Sequence, residues 1–143
     1  MKILSVRCKQ MIRKFDDIIS KAGSGKLKTL SVAVAQDDAV LEAVKIAKER
    51  GIADAILVGD EAQIRKIADS LDMDLGGFRI IDEPDVTAAA LKAVELVHNK
   101  EADILLKGFL DTKLFLKSVL NKDVGLRTGK MMSHVCVFEI EGI

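Results

Sequence analysis

Thr29–Gly59 reads TLSVAVAQDDAVLEAVKIAKERGIADAILVG, and this stretch decides the fold class. TLSVAVA is apolar along its length and β-branched, as expected of a strand buried on both faces. DDAVLEAVKIAKERG has an acidic start, a basic last turn and Gly51 to close it, which predicts a helix with both dipole ends matched. ADAILVG then returns to a strand pattern. Strand, helix and strand in succession make a βαβ unit, whose right-handed crossover places the two strands parallel in one sheet.

The unit recurs downstream as ADAILVG with DEAQIRKIADSL, FRIID with VTAAALKAVELVHNK, ADILLKG with TKLFLKSVL, and a last strand, HVCVFEI. Upstream, Val6, Met11, Ile12, Phe15, Ile18 and Ile19 recur near a helical period, predicting an amphipathic helix over Ser5–Lys21 that ends near Gly23 and caps the first βαβ unit. The expected fold is a single α/β domain over residues 1–143, three-layer α/β/α, with a mostly parallel sheet of about five strands. Pro84, the only proline, marks the turn after FRIID. No linker or low-complexity tract divides the chain.

With 22 Lys+Arg against 22 Asp+Glu, no overall field favours nucleic acid or an anionic membrane, so a basic site has to be local. Apolar runs such as SVAVA and ADILL fall far short of the ~20 residues of a membrane-spanning helix, and a cytoplasmic protein is expected. Cys8 and Cys136 lie far apart with no CxxC or Cys/His cluster, and His98 and His134 form no ligand set. Neither a disulfide framework nor a metal site is encoded, and the thiols read as buried or idle.

In a parallel sheet the ligand lies beyond the carboxyl ends of the strands. Those ends carry Gln36-Asp37-Asp38, Gly59-Asp60, Asp82-Glu83 and Lys107-Gly108. Asp37 or Asp38 reads as a helix cap; a receiver-like metal site with Asp82 and Lys107 is the alternative. GSGK at Gly23–Lys26 is not a phosphate loop. Ser20 and Leu27 stand where that motif needs glycine and Ser/Thr, and the order is helix-to-strand rather than strand-to-helix. AQDDAV likewise lacks a dinucleotide fingerprint.

The exceptional segment is KGFLDTKLFLKSVLNKDVGLRTGKMMSHV, where Lys107, Lys113, Lys117, Lys122, Arg127 and Lys130 face only Asp111 and Asp123. Lys113 and Lys117, four apart, suit a solvated helix face. Lys107 stands at a strand mouth, and Arg127, Thr128 and Ser133 sit in a glycine-flanked loop. Arginine offers a bidentate fork, Ser and Thr offer hydroxyl donors, and the helix beginning near Thr112 offers backbone amides at its positive end. An anion pocket and a merely basic surface loop both fit these residues.

This segment, KGFLDTKLFLKSVLNKDVGLRTGKMMSHVCVFE, resembles the phosphate acetyl/butyryltransferase family, and its butyryl-type members most closely. The family pattern is similar to a KG-L-DT opening, an aliphatic helix, an N-K-x-x-GLRTG turn and an SHV-x-VFE strand. SVAVAQDDAVLEAV, ADAILVGDEAQI and DEPDVTAAALKAV add support from Thr29 onward. The resemblance implies reversible acyl transfer between coenzyme A and inorganic phosphate, butyryl-CoA plus phosphate giving butyryl phosphate plus CoA. Coenzyme A thioester is then a substrate, with no metal and no tightly bound cofactor.

It also implies a two-domain enzyme with an isocitrate/isopropylmalate dehydrogenase-like fold, of which this chain is the N-terminal half. On that reading no catalytic residue falls in this half and the chain alone is inactive. Thr112, Arg127 and Ser133 match the family's phosphate-side positions; Lys107 and His134 match the butyryl-type motif. A stand-alone phosphate- or acyl-phosphate-binding module is the alternative function. Loss of covering strands would leave an exposed edge, so a homo-oligomer is expected, with acyl-CoA and phosphate rather than nucleic acid or membrane as partners.

Overall fold

The computed structural model describes residues 12–140. Its elements are α1 (Phe15–Gly23), β1 (Lys28–Ala33), α2 (Asp38–Glu49), β2 (Ala53–Gly59), α3 (Glu61–Ser70), β3 (Arg79–Asp82), α4 (Val86–His98), β4 (Ile104–Lys107) and α5 (Thr112–Val119). The four strands are parallel in the order β3-β2-β1-β4, with Val32 of β1 level with Leu57 of β2 and Leu106 of β4.

Strand alternation divides the core into two layers. Val32, Ala55 and Leu57 point to one face and pack with Leu41 and Val44 of α2 and Ile64 and Ala68 of α3. Ala33, Ile56 and Val58 point to the other and pack with Ala89, Ala93 and Leu96 of α4, with Phe115 of α5 against them. The two-sided helix cover follows from one handedness. The chain moves outward from β1 to β3 and then back across the sheet to β4, so the same crossover sense puts α2 and α3 on one face and α4 on the opposite one. Fully buried Leu41, Leu57 and Ile64 each contribute about 1.5–3 kcal/mol of burial.

Alanines bring α4 close to the sheet: Ala89, Ala90 and Ala93 are fully buried, and the buried Ser31 hydroxyl donates to the Ala93 carbonyl at 2.8 Å. The amino ends of β2 and β3 are clamped by Lys48. Its ammonium lies 2.8 Å from Asp54 Oδ1, also donates to the Gly77 carbonyl, and sits 4.2 Å from the centre of the Phe78 ring. Burial works to raise the Asp54 pKa, but the Lys48 hydrogen bond, the Ala55 N–H and the Lys48 charge outweigh it and hold it below its ordinary value.

Two expectations change. His134–Ile140 forms no strand: the sheet has four strands among the described residues, and Val135, Val137, Phe138 and Ile140 are all exposed. A β-like composition becomes a strand only when a neighbour accepts its ladder, and among the described residues none does. The first helix does not cap the domain either. Its described part buries no residue, Phe15 and Ile18 remain 43% and 37% exposed, and the expected portion at residues 5–11 lies outside the described residues. The edges β3 and β4 are only four residues long, which limits the unpaired backbone they offer to another chain.

Candidate anion-binding cleft

Because β4 returns beside β1, the point where the chain reverses its direction across the sheet lies between the carboxyl ends of β1 and β4, where ligands bind in open parallel sheets. A cleft of about 640 Å³ opens there. Its wall is made by Asp37 after β1, by Lys107, Gly108, Phe109, Leu110 and Asp111 at and after β4, and by Val86 at the start of α4.

The loop after β4 is fixed by backbone bonds to β1. Gly108 N–H donates to the Ala33 carbonyl at 2.9 Å and Phe109 N–H to the Val34 carbonyl at 2.8 Å. Only glycine fits at 108. A Cβ there would collide with the Val34 carbonyl oxygen and lie 2.6 Å from that of Ala33. Val34 itself has φ +60, a left-handed conformation that a β-branched residue rarely adopts and that costs about 1–3 kcal/mol. It is held by full burial, by its own carbonyl accepting from Phe109 N–H and by the next residue's Ala35 N–H donating to Val58 O.

Three helix amino termini converge on the cleft: α2 behind its cap Asp37, α4 at its first residue Val86, and α5 behind its cap Asp111. Each brings partial positive charge. Lys107 adds a full one. Among the described residues its ammonium makes one long contact, 3.5 Å to the Gly108 carbonyl, which leaves the charge available to a ligand.

The α5 amides that sequence reasoning offered to a phosphate are already taken. Asp111 Oδ1 accepts from Lys113 N–H at 2.8 Å and from Leu114 N–H at 3.3 Å. An aspartate immediately before a helix captures its orphan donors locally, ahead of any ligand. What remains at this end is Lys107 with the hydroxyl and N–H of the exposed Thr112.

The four expected phosphate residues are not assembled in one place. Lys107 and Thr112 stand at the amino end of α5. Arg127 stands at the other, where it lines a separate cavity of about 350 Å³ with Leu120, Thr128 and Lys130, and Ser133 lines neither. The helix alone separates the two groups by about 12 Å. The loop carrying Arg127 is tied back by Leu126 N–H to the Val119 carbonyl at 2.8 Å and by His98 Nδ1–H to the Gly125 carbonyl at 3.1 Å. His134 lies beside the exposed Cys136, Nε2 to Sγ 3.4 Å, and Cys8 is outside the described residues.

The receiver-like alternative fares no better geometrically. Asp37 Oδ1 accepts from Val40 N–H at 3.0 Å and Asp82 Oδ1 from Glu61 N–H at 3.0 Å, so both carboxylates are engaged at helix starts. Among the described residues no group of three His, Cys, Asp or Glu side chains is placed to hold a metal. No described helix is long and apolar enough to cross a membrane. Sequence reasoning missed Val86 and Phe109 as cleft residues. The available signal was a large apolar residue directly after a strand glycine, in KGFLD.

A family model described as phosphate acetyl/butaryl transferase matches residues 14–89. The chain belongs to that family. It is 59% identical over 131 residues to a phosphate butyryltransferase of Clostridium acetobutylicum, covering 92% of this chain and 44% of that protein. Against a phosphate butyryltransferase of Clostridium beijerinckii it is 53% identical over 132 residues, covering 92% and 44%. A crystal structure of a branched-chain phosphotransacylase from Enterococcus faecalis superposes with a TM-score of 0.52 and 28% identity over 66% of this chain and 33% of that one. The chain therefore spans less than half the length of the curated relatives it matches. With its parallel sheet between helices, it is an α/β member of a phosphate acyltransferase family.

Proposed function

We propose that this chain is the N-terminal domain of a two-domain phosphate butyryltransferase, converting butyryl-CoA and phosphate to butyryl phosphate and CoA, and that it supplies the phosphate side of the cleft. The observation that carries the reading is the opening between β1 and β4, where Lys107 and the amino ends of three helices meet. In the transfer a phosphate oxygen attacks the thioester carbonyl, the tetrahedral intermediate collapses, and the thiolate leaves. Holding the phosphate by Lys107, with Thr112 beside the cleft at the start of α5, fixes the nucleophile for its attack. Coenzyme A enters as a thioester substrate, with no tightly held cofactor.

The two cleft carboxylates, Asp37 and Asp111, are each held through Oδ1 as a helix cap, and among the described residues no other carboxylate lines this cleft. That observation favours binding without turnover by the 143-residue chain alone. Calorimetric titration of the chain with inorganic phosphate tests the assignment. Replacing the charged donor in Lys107→Met weakens phosphate binding about tenfold or more, while Arg127→Met and Ser133→Ala leave it unchanged. The reverse pattern would move the phosphate site to the Arg127 loop. No binding by the unsubstituted chain at millimolar phosphate would remove the reading.

A further inference from the structure

Phe109 and Leu110 are adjacent apolar residues with opposite fates. Leu110 turns inward and packs against the core cluster of Ala33, Val58 and Ala93. Phe109 remains 68% exposed, although its backbone is tied to Val34 and the loop around it admits little freedom. Among the described residues this ring packs in neither core layer. It stands on the wall of the same cleft as Lys107, two residues away along the chain, and Val86, 38% exposed, lines that cleft as well.

A cation beside an apolar lip suits a ligand that is anionic at one end and aliphatic at the other. Inorganic phosphate needs only the cation. We propose that Phe109, with Val86, is the seat of the acyl chain, so that the cleft reads acyl length at Phe109 and the phosphoryl group at Lys107. This inference rests on the phosphate reading above and deepens it. Phe109 then acts as a specificity-determining residue: it touches the part of the substrate in which a butyryl group differs from an acetyl group, and no part that the two share.

The test is titration of the 143-residue chain with inorganic phosphate, acetylphosphonate and butyrylphosphonate, the last two carrying the acyl groups without the hydrolysable anhydride bond of an acyl phosphate. Two further methylenes, about half covered in an open cleft, make butyrylphosphonate bind roughly fourfold more tightly than acetylphosphonate. Phe109→Ala brings that ratio to about one, with inorganic phosphate affinity and thermal midpoint unchanged because the ring is not part of the core. Phe109→Leu keeps most of the ratio. Equal affinity for the two phosphonates in the unsubstituted chain, or an unchanged ratio in Phe109→Ala, overturns the inference and leaves the phosphate reading standing. Failure of all three ligands to bind overturns both.

Discussion

The two ends of α5 have similar sequence ingredients, glycine next to lysine or arginine, and different organisation. At the amino end the KG step is stitched to β1 through Ala33 and Val34, and a cleft forms around a fixed lysine. At the carboxyl end GLRTGK is held by one local backbone bond to Val119 and one side-chain bond from His98 of α4, neither to the sheet, and Arg127 and Lys130 stay exposed. Basic residues near a helix end are therefore not equivalent: long-range backbone pairing with the sheet is what fixes a charge in a cavity at the strand ends.

Breaking the stitched end has the largest expected effect. Gly108→Ala forces a Cβ into the carbonyls of Ala33 and Val34 and disrupts two backbone bonds, a loss of about 3 kcal/mol read as a lower urea midpoint. Gly129→Ala, at the other end, has open space around it and only its φ of +75 to oppose it, so the loss is about 1 kcal/mol. Equal losses at the two glycines would remove the contrast.

Asp111 sharpens it further. Asp111→Ala loses the α5 cap, about 1 kcal/mol in the same denaturation experiment. Asp111→Asn keeps a capping side chain while removing a negative charge from the cleft, so stability is retained and phosphate binds severalfold more tightly by calorimetry. Unchanged phosphate affinity in Asp111→Asn would place the anion away from the amino end of α5.

The smallest effect is a general one, with acid. Asp103 is held below its ordinary value of 3.8 by its Lys28 hydrogen bond first and the Thr29 N–H second, and Asp60 by the Gln63 N–H first. A carboxyl with a depressed folded pKa stabilises the fold above its unfolded value, and that stability is lost as pH falls through the folded value. The urea midpoint is accordingly flat at neutral pH and begins to fall as pH drops below about 4. Asp103→Asn shallows that decline. The cleft's backbone stitching contains no titrating group and does not contribute to it.

Much of this architecture was legible in the chain. Continuous apolar strands, amphipathic helices and an aspartate before each of α2 to α5 identify the parallel α/β sheet, because each signal is local and each cap acts within three residues. The same locality explains the failures. HVCVFEI has strand composition, but a ladder needs a partner that composition does not name. Lys107 and Thr112 share the start of α5, whereas Arg127 and Ser133, close to them in charge pattern, are held apart by the length of the helix between.

By itself the sequence determined the fold class, the helix starts and the strand mouth at Lys107, since these depend on periodicity, caps and short-range chemistry. Only the tertiary structure decided that β4 lies beside β1, which puts the cleft between them and the Arg127 loop outside it. Strand order is set by which apolar faces can be covered at once with a single crossover hand, and that is a property of the whole sheet rather than of any segment in it.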